Sequence, residues 1–275
     1  MTKPYNFLKF IRFILLLAKH HYNLTYGYCG KDLEALSDDI YIVGYPKSGN
    51  TWLNFLIAHI VSRKNIKGSL NFSNIEKIVA DIYQNPSWKL SKLERPRMLK
   101  SHEPYLSKYP KVIYIVRDPR SVAISYFKFL KAMGNLPANY SINKFISNFL
   151  EINKFDNFLN WEMHALSWFK EAKLNKKKIL IIRYEDLSKE TFKYLHSVLV
   201  FLDIPHSKED LYSAIKYCSV KNMRAIEKKE HLKYMTKYSF IRKAKVNSWE
   251  LELNLNHSKK IKDKWIDTMK LFGYK

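Results

Sequence analysis

The sequence predicts a three-layer α/β domain, a central parallel β-sheet flanked by helices, and three observations predict it. The chain has 275 residues and is 47% hydrophobic, which suits one domain with a full core. Short apolar runs alternate with longer stretches of helical periodicity, the pattern of βα units around a parallel sheet. One junction, Gly44-Tyr45-Pro46-Lys47-Ser48-Gly49-Asn50-Thr51, lies between a buried-strand run and a helical pattern and has the composition of a phosphate loop. Residues 39–275 are read as the domain and residues 1–38 as a partly helical N-terminal arm.

The elements follow in order. In the arm, Phe7 to Ala18 is apolar but interrupted by Lys9 and Arg12, and it is shorter than the ~20 apolar residues that span a bilayer. Packing on the domain is the first reading of it, and peripheral contact with a membrane surface the second. Ile40 to Val43 is a strand entering the Gly/Pro turn, and Thr51 to Val61 a helix with Trp52, Phe55, Leu56 and Ile60 at helical spacing. Arg97 to Ser101 and Lys111 to Val116 are strands; Asp118-Pro119 opens a helix to about Met133. Asn157 to Ala172 is helical, with Trp161, Ala165, Trp168 and Phe169 on one core-facing stripe. Lys178 to Arg183 is a further strand, Ser188 to Leu202 a helix, Ser219 to Ser248 a basic irregular segment, and His257 to Leu271 a final helix. Ligands of open parallel sheets bind beyond the carboxyl ends of the strands, and these strands end at Gly44, His102, Arg117 and Tyr184.

Composition narrows function less than pattern does. A net charge of +23 is compatible with anionic ligands, a membrane surface or solvated lysine runs such as Lys176 to Lys178. No zinc pattern, RNA-recognition signature or basic zipper accompanies it, so nucleic acid is not expected as a partner. Two cysteines, Cys29 and Cys218, are too few for a disulfide scaffold or a four-ligand zinc site and fit a reducing cytoplasm.

In the loop, the glycines keep the spacing of G-x-x-x-x-G-K-[ST] and Thr51 keeps its place, but Asn50 stands at the lysine position and a lysine appears earlier, at Lys47. The cradle of backbone N–H groups is retained while the cation reaches the ligand from another side. With no obvious acidic Mg²⁺ ligand at the end of a strand, triphosphate hydrolysis is disfavoured.

The loop resembles the first signature, Y-P-K-S-G-T-T-W, of the cytosolic-type sulfotransferases that use 3′-phosphoadenosine 5′-phosphosulfate (PAPS); here it reads Tyr45-Pro46-Lys47-Ser48-Gly49-Asn50-Thr51-Trp52. Further stretches resemble the family in its order. Arg117-Asp118-Pro119 with Ser125 is similar to its R-[ND]-P segment, and Lys100-Ser101-His102 to its K-[ST]-H. Tyr184-Glu185-Asp186, Ser219-Val220-Lys221-Asn222-Met223 and Arg242-Lys243-Ala244 through Trp249 are similar to its Y-E-D, S-F-K-x-M and R-K-G-x-x-G-D-W. Departures are Asn50 for threonine, Val220 for an aromatic, Ala244 and Asn247 for glycines, and Ser248 for aspartate. The resemblance spans Ile40 to Tyr274.

It implies a P-loop nucleotide-hydrolase-like sulfotransferase fold and PAPS as co-substrate, with no metal required. It implies that Lys47, Ser48, Gly49, Asn50 and Thr51 bind the 5′-phosphosulfate, with Lys47 on the bridging oxygen. Trp52 and Tyr184 contact adenine, and Ser219 belongs to the nucleotide site. Arg117 and Ser125 hold the 3′-phosphate, over which Arg242 and Lys243 close; a guanidinium at a strand end and a hydroxyl on the next helix can chelate one phosphate. His102 is the catalytic base and Lys100 offsets sulfuryl charge. His164, in Trp161-Glu162-Met163-His164, resembles a W-x-x-H feature near the acceptor pocket and is equally readable as a core histidine. Arg120 is read as a solvated helix-start residue. The acceptor and the oligomeric state are not legible; segments Asp81 to Arg95, Lys131 to Asn153 and Lys228 to Ser239 are expected to line the pocket. A P-loop kinase using ATP and a non-catalytic basic module remain as rivals, the first opposed by Asn50 and the second by the ordered motifs.

Overall fold

The computed structural model describes residues 29–62, 69–151, 159–230, 241 and 246–275. The apolar stretch Phe7 to Ala18 and the predicted nucleotide ligands Arg242 and Lys243 lie outside the described residues, as do parts of two expected pocket segments.

Five parallel strands form one sheet: β1 (Ile40–Val43), β2 (Val79–Asp81), β3 (Met98–Ser101), β4 (Lys111–Val116) and β5 (Ile179–Arg183), in the spatial order β2-β3-β1-β4-β5. Strand β1 is central, with Ile40 opposite Met98 on one side and Lys111 on the other. All four of its residues are buried, as expected of an interior parallel strand covered on both faces. The two-residue period divides the side chains cleanly. Tyr41, Val43, Val112, Tyr114 and Val116 join one core, whereas Ile40, Ile42, Ile113 and Ile115 join the other.

Helices cover each face. The first core takes residues from α3 (Pro119–Ala132), α4 (Ile142–Leu150), α5 (Trp161–Leu174) and α10 (Leu255–Leu271). The second takes residues from α1 (Asn50–Val61), α6 (Tyr184–Lys189), α7 (Thr191–Phe201), α8 (Lys208–Tyr217) and α9 (Val220–Lys229), while a short helix, α2 (Ser87–Leu90), follows β2. Trp161, Trp168 and Trp265 are fully buried in the first core. The chain preceding β1 packs on the same body: Cys29 and Leu33 are buried and the Gly30 amide donates to the Ile82 carbonyl at 2.6 Å.

Several boundaries differ from expectation, each for a local reason. The helix expected over Ser188 to Leu202 is two helices, because Glu190 (φ −129°, ψ 58°) leaves helical geometry between α6 and α7. Helix α5 starts at Trp161 rather than near Asn157, since the Asn160 side chain caps it by accepting from the Met163 amide. The segment Ser219 to Ser248 is not irregular throughout: Ser219 accepts from the Asn222 amide and starts α9. Arg120 is not solvated but only 9% exposed; it donates to both oxygens of Asp118 and stacks on Trp249 at 3.9 Å.

Candidate active site

The carboxyl ends of β1, β3, β4 and β5 bring the motif residues to one edge of the sheet. At the end of β1 the chain must pass close to β4. A Cβ on Gly44 would stand 2.7 Å from the Ile115 carbonyl oxygen and 2.8 Å from Asn50 Oδ1. Lys47 (φ +71°) and Gly49 (φ +109°) both take the left-handed conformation, which turns successive amides toward one side in the manner of an anion-binding nest. Helix α1 begins directly after, adding its unpaired N-terminal amides.

The side chains of this loop are built for a ligand with oxygen atoms. Ser48 Oγ and both amide atoms of Asn50 are buried without a hydrogen-bond partner. Such groups are costly to leave unmet, and the donors among them, Ser48 Oγ and Asn50 Nδ2, fit a bound anion at a helix N-terminus. Thr51 is half-buried in the first turn of α1, and the Lys47 ammonium lies 4.1 Å from the centre of the Phe129 ring.

Tyr184, the first residue after β5, is the hub behind the loop. A Cβ on Gly49 would reach within 2.5 Å of its ring, Trp52 packs edge-on against it at 5.9 Å, and the Arg117 guanidinium lies 4.2 Å from its centre. Arg117 also donates to the Lys47 carbonyl at 3.3 Å, while its buried Nε has no partner. The first-strand loop, the end of β4 and the end of β5 therefore form one wall. Trp52 Nε1 donates to the Cys218 carbonyl at 3.1 Å, beside the exposed Ser219 that caps α9. Ser125 is half-buried two turns into α3.

His102 leaves the end of β3 and points its ring back at the loop. Its Nδ1 lies 2.5 Å from the Gly44 carbonyl oxygen. A carbonyl only accepts, so Nδ1 carries the hydrogen and Nε2 is the basic nitrogen. Burial, and then the Lys100 ammonium, push the imidazole pKa down to about 3, against the pull of Asp81 and of the Gly44 carbonyl. The ring is thus neutral at physiological pH. Tyr83 stacks parallel to it at 5.9 Å and its hydroxyl accepts the His102 amide at 3.0 Å while donating to Glu103 at 2.8 Å. His164 is fully buried; its Nε2 donates to the His102 carbonyl at 3.1 Å and its Nδ1 accepts from Tyr114 at 3.0 Å.

Lys100 is paired with a carboxylate that the sequence reading did not single out. Asp81 ends β2, a strand the sequence did not predict, and its Oδ2 lies 2.6 Å from Lys100 Nζ. Asp81 and Tyr83 fall in the segment expected to line the pocket, but no motif gave either a role because β2 is only three residues long, and Glu103 follows β3 with no motif role of its own. Among the described residues no group of three or more His, Cys, Asp or Glu could hold a metal ion.

The model of the sulfotransferase domain matches residues 37–273, nearly the whole of the described fold. The chain belongs to the sulfotransferase family. An amine sulfotransferase of Oryctolagus cuniculus is 23% identical over 259 residues, covering 89% of this chain and 85% of that protein. Cytosolic sulfotransferase 12 of Arabidopsis thaliana is 28% identical over 243 residues, covering 80% and 74%. The structure of mouse sulfotransferase SULT7A1 complexed with PAP superposes with a TM-score of 0.70 at 24% identity, over 89% of each chain. This sulfotransferase thus has the P-loop-like sulfotransferase fold, a five-stranded parallel sheet between helices. Among its described residues, no helix is long and apolar enough to cross a membrane.

Proposed function

We propose that this sulfotransferase moves the sulfuryl group of PAPS in line to a hydroxyl or amine acceptor, with His102 as general base. The observation that carries the reading is the pairing of a neutral imidazole, basic at Nε2, with a loop whose buried Ser48 and Asn50 atoms lack partners. Kinship with a mouse enzyme complexed with PAP supports the nucleotide, and a relative named for amines supports the breadth of acceptor. The cytosolic name of the Arabidopsis relative supports a cytoplasmic location.

In this reading Ser48, Asn50, Thr51 and the turned amides of residues 47–49 bind the 5′-phosphosulfate, with Lys47 toward the bridging oxygen. Arg117, with Ser125, binds the 3′-phosphate; Trp52 and Tyr184 border the base, and Ser219, Arg242 and Lys243 complete the nucleotide site. His102 Nε2 takes the acceptor proton as the new S–O or S–N bond forms and the bond to the bridging oxygen breaks. Lys47 and Lys100 offset the charge that grows on the bridging and sulfuryl oxygens, so fixed positive charge and positioning supply most of the rate.

The test uses labelled PAPS with a panel of probes: 2-naphthol, a 3-hydroxysteroid and an arylamine. At least one should be sulfated, and PAP should bind more tightly than ATP. His102→Ala should lower transfer by about 10²–10⁴-fold while leaving PAP affinity within about twofold, because the ring meets the loop at the Gly44 carbonyl and not at its amides. Near-normal turnover by His102→Ala would reject it as the base, and preference for ATP would reject the nucleotide assignment.

A further inference from the structure

The second core carries an ion pair in an otherwise apolar face. Asp81 and Lys100 are registered opposite each other on β2 and β3, and Lys100 is opposite Ile42 on β1. The strand period directs Asp81 to the same face as Val79, and Lys100 to the face of Met98 and Ile42. Their side chains are 4% and 20% exposed. Two residues beyond Lys100 stands His102.

We propose that Asp81 is a positioning residue for the transfer reaction: its carboxylate holds the Lys100 ammonium, charged and fixed, at the sheet edge beside His102. The proposal rests on the role given above to Lys100 and goes beyond it by naming what keeps that lysine usable.

The carboxylate is itself held from several sides. Oδ2 accepts from Lys100 Nζ at 2.6 Å and from Gln84 Nε2 at 3.4 Å, and Oδ1 accepts from the Tyr83 amide at 2.9 Å. The Asp81 amide donates to Glu76 Oε2 at 2.8 Å, and Asn85 Nδ2 bridges that same oxygen and the Asp81 carbonyl at 2.8 and 2.9 Å. Rotating the carboxylate away from Lys100 would break bonds to two elements at once, so the ammonium has a fixed address.

Charge follows from the same geometry. Burial works against the Lys100 cation, as it does for any buried lysine, but Asp81 by attraction and hydrogen bond, with Glu76 behind it, carries its pKa above the ordinary range. The groups facing Lys100 are Asp81 at the end of β2, Glu76 in the turn before β2, and His102 on its own strand, with His164 of α5 beyond His102. Burial and the same ammonium keep His102 unprotonated. Asp81 thereby sustains a permanent cation for developing negative charge, while burial and that ammonium outweigh the carboxylate's own pull on His102 and leave it a free base for the acceptor proton. A pair serving only to fasten the edge strand would also keep the lysine charged, but its loss would cost melting temperature without moving the pH profile of kcat.

Two measurements separate these roles. In the first, acetylation of Lys100 by acetic anhydride is followed by mass spectrometry against pH in the full chain. Wild-type Lys100 should resist acetylation into the alkaline range, and Asp81→Asn should let it react at lower pH, because the carboxylate that raises its pKa is gone. In the second, kcat is measured against pH with PAPS and the best acceptor of the panel. Asp81→Asn should lose about 10²-fold in kcat at pH 8 with little change in KM for PAPS, its alkaline limb moved to lower pH. The double variant Asp81→Asn, Lys100→Arg should recover that limb, since an arginine stays charged throughout. Asp81→Glu keeps the charge and should keep the wild-type limb even if its melting temperature falls. An unchanged Lys100 titration in Asp81→Asn, or an alkaline limb that neither moves nor is recovered by arginine, would overturn the proposal. Lys100→Met distinguishes the two levels. If it is inactive while Asp81→Asn keeps the wild-type profile, the role of Lys100 stands and that of Asp81 falls. If Lys100→Met is fully active, both fall.

Discussion

Two histidines and one glycine show how much a single residue can carry here. His102 resembled the family's base in sequence, but its tautomer comes from the Gly44 carbonyl 2.5 Å from Nδ1, a contact between residues 58 apart. His164 could be read equally as an acceptor-pocket or a core residue; its full burial and its bond to the His102 carbonyl make it a support for the base. Gly49 has two constraints, a φ of +109° and a Tyr184 ring 2.5 Å from any added Cβ. Gly49→Ala should therefore weaken PAP binding more than tenfold and destabilise the fold by about 1–3 kcal/mol. Titration with PAP and thermal unfolding check both; unchanged affinity would mean that the loop does not need its left-handed turn.

Elements, not residues, explain what the sequence left illegible. Strands β1, β4 and β5 were readable because apolar runs of four to six residues betray burial on both faces. Strand β2, Val-Ala-Asp, is too short and ends in a charge, so no periodicity announces it. Helix α8 had a readable start, with Ser207 and Asp210 forming a reciprocal capping box, but its polar composition masked its four-residue apolar spacing. The end of α10 has a role no motif predicted. After Gly273 (φ +73°) reverses the chain, Tyr274 is buried and its hydroxyl donates to Glu185 Oε2 at 2.9 Å. Glu185 Oε1 accepts the Asp118 amide at 3.1 Å, and Arg183 lies 4.7 Å from the Tyr274 ring centre. The carboxyl end of the chain thus clasps the starts of α3 and α6, the two elements that flank Arg117 and Tyr184. Tyr274→Phe removes one buried hydrogen bond to a carboxylate and should cost about 1.5–3 kcal/mol, read as a lower melting temperature; no change would show that the clasp is not under load.

At the scale of the whole molecule, half-buried His102 and fully buried His164 make stability depend on pH. Their ordinary value is 6.5, and burial lowers His102 to about 3 and His164 to about 4. Between these limits the unfolded chain binds more protons than the folded one, so stability should be full above pH 6.5 and decline as pH falls toward 4. The slope approaches about 1.4 kcal/mol per pH unit for each histidine. Half-buried Glu76 and Glu185, raised mainly by loss of solvation, act with the opposite sign, so the comparison that isolates the histidines is with His102→Ala. Its melting temperature should fall less steeply than that of the wild type from pH 6.5 to 4, and parallel curves would reject the depressed imidazole.

The sequence by itself determined the layered α/β class, the phosphate loop and the order of the family's motifs, because apolar periodicity and local turn chemistry are written in neighbouring residues. Only the tertiary structure decided that Arg120 is buried between Asp118 and Trp249, that Tyr184 backs the loop, and that Asp81 partners Lys100. Those contacts join residues on different strands and helices, and whether a charge is solvated or paired depends on what the fold brings within about 3–4 Å of it.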